Sequence, residues 1–436
     1  MKVCVEGLWH LGSVTASCLS KVGFKTIGFD SNCDTIDNLK VGIPPILEPG
    51  LEDLIYSGIK SKNLFFSANK EDALKDTDVL WVCYDTPVDI NDNADSGFVI
   101  DNIKQSLSLL KSNALVLISS QLPVGSVRSI EEYAKNNYPN KKISFACLPE
   151  NLRLGNAIEI FLRPDRLIVG YRDESDKKII EEFLKPFNFV IEWMSTESAE
   201  MTKHAINAFL ATSIVFANEI SGICEVMGAD AKEVERGLKT EKRIGPGAYL
   251  SPGGPYAGGT LARDINFIIK LSKQYKLNSY IANSVSESND HHKLWINRKL
   301  KKIFKSLDSV QITIWGLTYK PGTDTLRRSQ SVELGNWLLK EGAILSVYDP
   351  NISRLPSEWE NKVTLFNDSN DSIKDSDVLI IGSPLEIFKK DIDFIASKKN
   401  KTIVIDQIRF LEKNLNKSVI KKINYYSVGM PDRELQ

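Results

Sequence analysis

The pattern of apolar and polar positions divides the chain into three stretches. In the first, short apolar runs alternate with helix-like segments. Residues 2–6 predict a strand, Gly7 to Gly12 a turn, 13–23 a helix and 25–30 a second strand closing on Asp30. Further strand-like runs lie at 79–84, 114–119, 143–148, 167–169 and 190–193. Strands alternating with helices predict an α/β fold with a mostly parallel, doubly wound sheet. After residue 196 the alternation stops. Ile206, Phe209, Leu210, Ile214, Phe216, Ile220, Ile223 and Val226 recur at helical spacing, with Gly228 as a stop. They predict one helix of about 30 residues, longer than most globular helices. A Gly/Pro-rich loop follows over 244–259, then more helix over 264–305. The third stretch returns to α/β. It predicts strands at 310–315, 344–349, 378–381 and 402–406, a turn at 316–321 and a helix at 331–341. The two α/β stretches share a layout, without a short-period repeat.

Composition narrows the class. A chain of 436 residues suits two or three domains. With 42% apolar and 25% charged residues and a net charge of −1, it reads as a soluble globular protein. Nothing in that balance favours nucleic acid or an anionic membrane. No apolar run reaches the ~18–20 residues of a membrane span, and no signal peptide precedes the first strand. The six cysteines (Cys4, Cys18, Cys33, Cys83, Cys147 and Cys224) form no CxxC pair and no metal-ligand spacing. They read as reduced, buried thiols of a cytoplasmic protein. His291-His292 reads as a polar helix face, since no third metal ligand lies at a useful spacing. The lysines of 300–305 and 398–401 read as solvated faces.

The first turn carries the candidate chemistry. Gly7-Leu8-Trp9-His10-Leu11-Gly12 follows a strand and opens a helix. A dinucleotide fingerprint wants glycine first, third and sixth, for the tight turn, the backbone's approach to the pyrophosphate and helix–strand packing. Here the third position is Trp9. Asp30 closes the second strand, where a carboxylate accepts from ribose hydroxyls, which favours NAD over NADP. A Rossmann-like fold that binds no dinucleotide is the competing reading.

Several blocks, collinear over more than 300 residues, carry a family resemblance. They are Gly7–Gly12 with Val14-Thr15-Ala16-Ser17-Cys18-Leu19, Glu48-Pro49-Gly50-Leu51, Thr86-Pro87, Leu122-Pro123-Val124-Gly125, Pro149-Glu150-Asn151-Leu152-Arg153 and Pro164-Asp165-Arg166. They continue with Lys203-His204-Ala205-Ile206-Asn207, Asn218-Glu219-Ile220, Gly316-Leu317-Thr318-Tyr319-Lys320-Pro321-Gly322-Thr323-Asp324 and Arg327. The chain resembles the UDP-glucose/GDP-mannose dehydrogenase family. The resemblance implies an α/β protein with two Rossmann-type doubly wound parallel sheets linked by a helical central domain with a long helix. The implied domains are an NAD-binding one at 1–195, a dimer-building helical one at 196–305 and a UDP-sugar-binding one at 306–436. The implied reaction oxidises the C6 alcohol of a nucleotide sugar to a carboxylate with two NAD, for polysaccharide biosynthesis. Gly7, Trp9, His10, Leu11, Gly12, Asp30, Thr86, Pro87, Gln121 and Arg327 match cofactor positions. Asn151, Leu152, Arg153, Tyr256, Gly258, Tyr319 and Lys320 match substrate positions.

The first hydride transfer needs a group to take or stabilise the alcohol proton. Lys203 and Asp264 match the family's residues for this, and Glu150 matches a further active-site acid. Asn207 lies one helical turn beyond Lys203, on the same face, and could bond a developing oxyanion. The family's second oxidation runs through a cysteine thioester. In this chain the matching loop reads Gly253-Gly254-Pro255-Tyr256-Ala257-Gly258-Gly259-Thr260-Leu261-Ala262-Arg263-Asp264, with Thr260 where the cysteine stands. A threonine hydroxyl is a poor nucleophile without a dedicated base. Further departures are Gln121, Leu154, Arg263, Thr325 and Gln330. Together they put the carboxylate product in doubt.

The expectation is an NAD-dependent oxidoreductase acting on a nucleotide sugar. In one version it stops at the aldehyde or ketone. In another it oxidises the aldehyde hydrate, using water held by Thr260 and Asp264. The competing class is an inactive relative that binds sugar nucleotide or NAD as a partner or regulator. Trp9 and the missing cysteine point that way, and the Lys203, Asn207, Asp264 trio points against it. Epimerisation through a transient ketone is a third reading. The long amphipathic helix is expected to build a homodimer.

Overall fold

The computed structural model describes residues 1–87, 94–150, 152–257, 259–319, 321, 323–397 and 401–431. The chain forms two compact units, Met1–Ile206 and Asn207–Gln436.

The first unit is built on eight strands: β1 (Lys2–Glu6), β2 (Lys25–Phe29), β3 (Leu64–Ser67), β4 (Val79–Val82), β5 (Ala114–Ile118), β6 (Ile143–Cys147), β7 (Leu167–Tyr171) and β8 (Ile191–Ser195). Their order is β3-β2-β1-β4-β5-β6-β7-β8. Neighbours run parallel except β6 and β7, which pair antiparallel. The apolar runs predict this, because a parallel strand covered by helices on both faces has no polar side. In β1, Val3 and Val5 enter one core with Trp81 and Leu117, while Cys4 enters the opposite core with Leu80 and Val116.

The second unit carries β9 (Gln311–Trp315), β10 (Ile344–Tyr348), β11 (Val363–Phe366), β12 (Val378–Ile381), β13 (Ile403–Asp406) and β14 (Asn424–Tyr426). Their order is β11-β10-β9-β12-β13-β14, all parallel. Both sheets follow the doubly wound order in which the first and fourth strands are neighbours. The crevice at their carboxyl ends is where such folds bind ligands.

The sequence reading placed the inner strands and missed β3, β11 and β14, which are all edge strands. All three are only partly buried, unlike the equally short β4 and β12, which are buried throughout and read as unbroken apolar runs. The first helix starts at His10 rather than 13, so His10, Leu11 and Gly12 form its opening turn. The stretch expected as further helix over 264–305 resolves into three helices, Thr260–Gln274, Tyr280–Lys293 and Trp295–Ile303, and Ala231–Thr240 adds another. The first of these breaks where Lys276 turns left-handed, at φ 55°.

The predicted long helix spans Thr196–Met227 and stops at Gly228, whose φ is +77°. By length and composition it could cross a membrane, with a mean hydropathy of 1.3 over its best 18-residue window, contrary to the expectation from apolar runs. Its alanines, isoleucines and phenylalanines raise that mean without forming an unbroken run. The same helix carries polar groups bonded into the protein. Glu200 accepts from the Gly125 and Val127 amides, and Glu225 accepts from Trp295 Nε1, the Gly429 amide and Lys299 Nζ. Five of the cysteines are buried as expected. Cys33 is not, because it opens the mostly polar helix Cys33–Lys40.

Candidate functional site

In the first unit the glycine turn sits at the ends of β1 and β4. Gly7 has φ +86°, and a Cβ there would lie 2.6 Å from Tyr84 Cα. A Cβ on Gly12 would lie 1.8 Å from the Gly7 carbonyl oxygen. The fold therefore demands glycine at both positions. Trp9 differs: its φ of −74° is negative, so no left-handed backbone calls for glycine there, and its side chain is 48% exposed. The third position of the fingerprint thus serves the ligand rather than the fold. Asp30 braces the turn by accepting from the Leu8 amide at 2.9 Å and the Asn32 amide at 3.0 Å. It stays partly exposed, with lone pairs left for ribose hydroxyls. Thr86 Oγ1 donates to the Gln121 carbonyl at 2.6 Å, joining the segments after β4 and β5, and Pro87 is exposed beside it. The tight turn, the helix amino-end at His10 and the acid closing β2 fit NAD.

Glu6 sits directly under this turn, fully buried, with Ser106 Oγ donating to it at 2.7 Å. Burial pushes its carboxyl up to about 7, against the pull of Lys70 and Ser106. An acid raised in the folded state favours its neutral form there. Its cost is absent below the ordinary carboxylate range and grows as pH rises to about 7. Glu6→Gln, which keeps the acceptor for Ser106, is therefore expected to stabilise the protein at pH 8 by on the order of 3 kcal/mol relative to its effect at pH 4. Thermal denaturation at the two pH values measures this, and equal shifts at both would refute it.

Lys203 and Glu150 meet in the same unit, the lysine Nζ donating to the Glu150 carbonyl at 2.5 Å. The Leu152 amide donates to Glu150 Oε1. Protein atoms crowd this carboxyl, and burial pushes it up to about 7, with Lys203 opposing and Asp85 adding. Arg153 is exposed and Leu152 partly so, while Asn151 lies outside the described residues. Glu200 and His204, to which the sequence reading gave no role, hold the segment carrying Gln121. Glu200 accepts from two of its amides, and His204 Nε2 bonds the Leu122 carbonyl at 3.1 Å.

In the second unit Asn207 Nδ2 donates to Asp264 Oδ2 at 2.5 Å, and both residues are buried. Lys203 and Asn207 lie one turn apart on the long helix, as the spacing predicts. Thr260 is the exposed first residue of the helix Thr260–Gln274. The loop before it is clamped by side chains that sequence reasoning passed over. Asn218 accepts from the Gly253 amide and donates to the Gly254 carbonyl. Asn289 makes the same paired contact with the Tyr256 backbone, at 2.9 and 3.1 Å. His292 Nε2 bonds the Gly253 carbonyl at 2.8 Å. His292 is thus buried and built in, not part of a polar face, and only its neighbour His291 is exposed. Burial pushes its imidazole pKa down, which keeps it neutral.

Tyr256 is buried, and burial pushes its phenol up to about 12. The Tyr319 hydroxyl reaches within 3.6 Å of where a Gly259 side chain would begin, so the loop lies against the turn after β9. That turn repeats the first one. Gly316 has φ +86°, and Asp349 accepts from the Leu317 and Thr318 amides and from Asn351. Asp349 is buried, unlike Asp30. Arg327, matched to a cofactor position, lies exposed in this second unit. Gly258 and Lys320 lie outside the described residues.

Residues 1–188 match the NAD binding domain of the UDP-glucose/GDP-mannose dehydrogenase family, 197–291 its central domain and 313–413 its UDP binding domain. The chain is 30% identical to the UDP-glucose 6-dehydrogenase YwqF of Bacillus subtilis over 98% of both chains. It is 28% identical to the UDP-glucose 6-dehydrogenase of Pseudomonas aeruginosa over 93% of both. The solved UDP-glucose dehydrogenase of Pyrobaculum islandicum superposes with a TM-score of 0.85 at 26% identity, covering 98% of each chain. With its glycine turn, its paired sheets and all three domains matched in order, the chain belongs to the UDP-glucose/GDP-mannose dehydrogenase family of NAD-dependent nucleotide-sugar dehydrogenases.

Proposed function

We propose that the protein oxidises the C6 alcohol of a UDP-linked hexose, with UDP-glucose the first candidate, and stops at the aldehyde. The observation that carries this reading is Thr260. It occupies the exposed head of the helix that also holds Asp264, in a loop that contains no cysteine. An alcohol there gives no thioester, so the covalent route to the acid is closed. The matched UDP binding domain and the names of the relatives support the choice of substrate. The inactive-regulator reading finds no support among them.

NAD, when bound by the turn, Asp30, Thr86 and Gln121, supplies the acceptor for the hydride leaving C6. The other roles belong to the chain. The Asp264 carboxylate takes the alcohol proton as the carbonyl forms. Asn207, fixed to Asp264, turns its second N–H to the developing oxyanion. Lys203, anchored on the Glu150 carbonyl, adds positive charge on the same helix face. A hydride and a proton leave and one C=O forms, so the balance closes without water. The test is NADH formation from a panel of UDP- and GDP-sugars with the product mass recorded. One NADH per sugar and a loss of two hydrogens are expected. Two NADH with an acid product would overturn the aldehyde endpoint, and no NADH from any sugar would overturn the reading itself.

We further place the protein in the cytoplasm as a homodimer supplying sugar for polysaccharide synthesis. Phe209, Phe216 and Ile223 recur every seventh residue on the long helix and are exposed, with Val226 and Met227 continuing the stripe. A contiguous apolar face of this kind favours a partner surface. Analytical ultracentrifugation is expected to give a dimer, and a monomer at micromolar concentration would reject it.

A further inference from the structure

Glu48 joins two segments of the first unit that lie far apart in sequence, one at His10 and one at Gly155–Ala157. Its carboxylate is almost wholly buried, at 4% exposure. Oε2 meets His10 Nε2 at 2.9 Å and accepts from the Gly155 amide at 2.8 Å, while Oε1 accepts from the Ala157 amide at 2.9 Å. Burial alone would push this carboxyl up, but the two amides and His10 hold it below the usual carboxylate range. His10 opens the helix at the cofactor turn. The 152–157 loop, in turn, holds Glu150, because its Leu152 amide donates to the Glu150 carboxylate. Hydrogen bonds to Glu48 and the backbone of the loop therefore connect the turn, through His10, to Glu150.

We propose that Glu48 is a positioning residue that ties the cofactor turn to the 152–157 loop, so that NAD binding fixes the Glu150 carboxyl. The inference rests on the reading of Glu150 as a working acid of the site. The donor count makes the carboxylate specific. Three N–H groups converge on two acceptor oxygens, and an amide in its place would turn an NH2 donor toward at least one of them. An unmatched buried donor is costly enough to release one arm of the link.

Amide hydrogen exchange at Gly155 and Ala157, with and without NAD, tests this on the whole protein. NAD is supplied at saturation for each variant, as fixed by its own calorimetric Kd. In the native protein, NAD is expected to slow both amides by about tenfold, within the usual range of site-to-site coupling. His10→Phe cuts the link while leaving the loop's own bonds to Glu48, and should abolish that response. His10→Gln still donates to Glu48 and should restore it, which a merely structural role for His10 would not predict. Glu48→Gln should exchange faster and ignore NAD, and it decides the matter if His10→Phe no longer binds NAD. No response in the native protein, or the same response in His10→Phe, overturns the proposal. Turnover is not read here. If the exchange pattern appears while no sugar yields NADH, the link stands and the proposed function falls. If NADH forms without the pattern, the reverse holds.

Discussion

Asp264→Asn is expected to lower kcat on UDP-glucose by about 10²–10⁴-fold, the range for removing a positioned general base. The carboxylate is wholly buried at the first turns of the helix Thr260–Gln274, 2.5 Å from Asn207 Nδ2. An asparagine keeps the shape and an acceptor oxygen for Asn207, so the local packing survives. What is lost is the group that takes the alcohol proton, and no neighbouring carboxylate on that helix replaces it. NAD is held by the first unit, so its Kd is expected to stay within about twofold, well under the ~1.4 kcal/mol of a tenfold change. Steady-state rates and calorimetric NAD binding on the same preparation separate the two effects. A kcat within about threefold of the native value would remove Asp264 from its catalytic role.

The same pair shows how far the sequence reaches. Lys203 and Asn207 are legible because helical spacing alone puts them on one face, and the structure keeps them on one continuous helix. The inner strands are legible because parallel strands buried on both faces are apolar throughout, as Val79–Val82 and Val378–Ile381 are. The edge strands β3, β11 and β14 are not, since each is only partly buried and β11 has no fully buried residue. The clamps on the 253–257 loop are invisible for a different reason. Asn289 and His292 reach backbone groups more than thirty residues away, and neither pairing leaves a local pattern. His292 even looked solvated beside His291, because one histidine per helical face cannot be told from its neighbour without the fold. Glu48 and Asn218 stood within blocks shared with the family, so their presence was visible while their task was not. Trp9 was the reverse case. The sequence marked it as a defect in the turn, and the backbone shows that only Gly7 and Gly12 are required by sterics.

Thr260→Cys is expected to change the product rather than the rate of the first oxidation. The native protein should release one NADH per sugar and an aldehyde that hydroxylamine traps. The variant should release two NADH and a carboxylate, with a gain of one oxygen and a net loss of two hydrogens. Position 260 is the first residue of a helix, and it is exposed. A thiol at a helix amino-end has its pKa lowered by the unpaired amides and the helix dipole, so a fair share is thiolate near neutral pH. The thiolate adds to the aldehyde carbon, the resulting hemithioacetal gives up hydride and proton to become a thioester, and water releases the acid. The loop's own geometry should tolerate the change. Asn218, Asn289 and His292 bond its backbone at Gly253, Gly254 and Tyr256, and none of those bonds involves the side chain at 260. Product mass and NADH stoichiometry, read together at substrate exhaustion, decide the matter. An acid from the native protein would mean that hydrate oxidation already bypasses the thiol. An aldehyde from the variant would place the block elsewhere in the site, with Gln121 and Arg263 the next positions to restore.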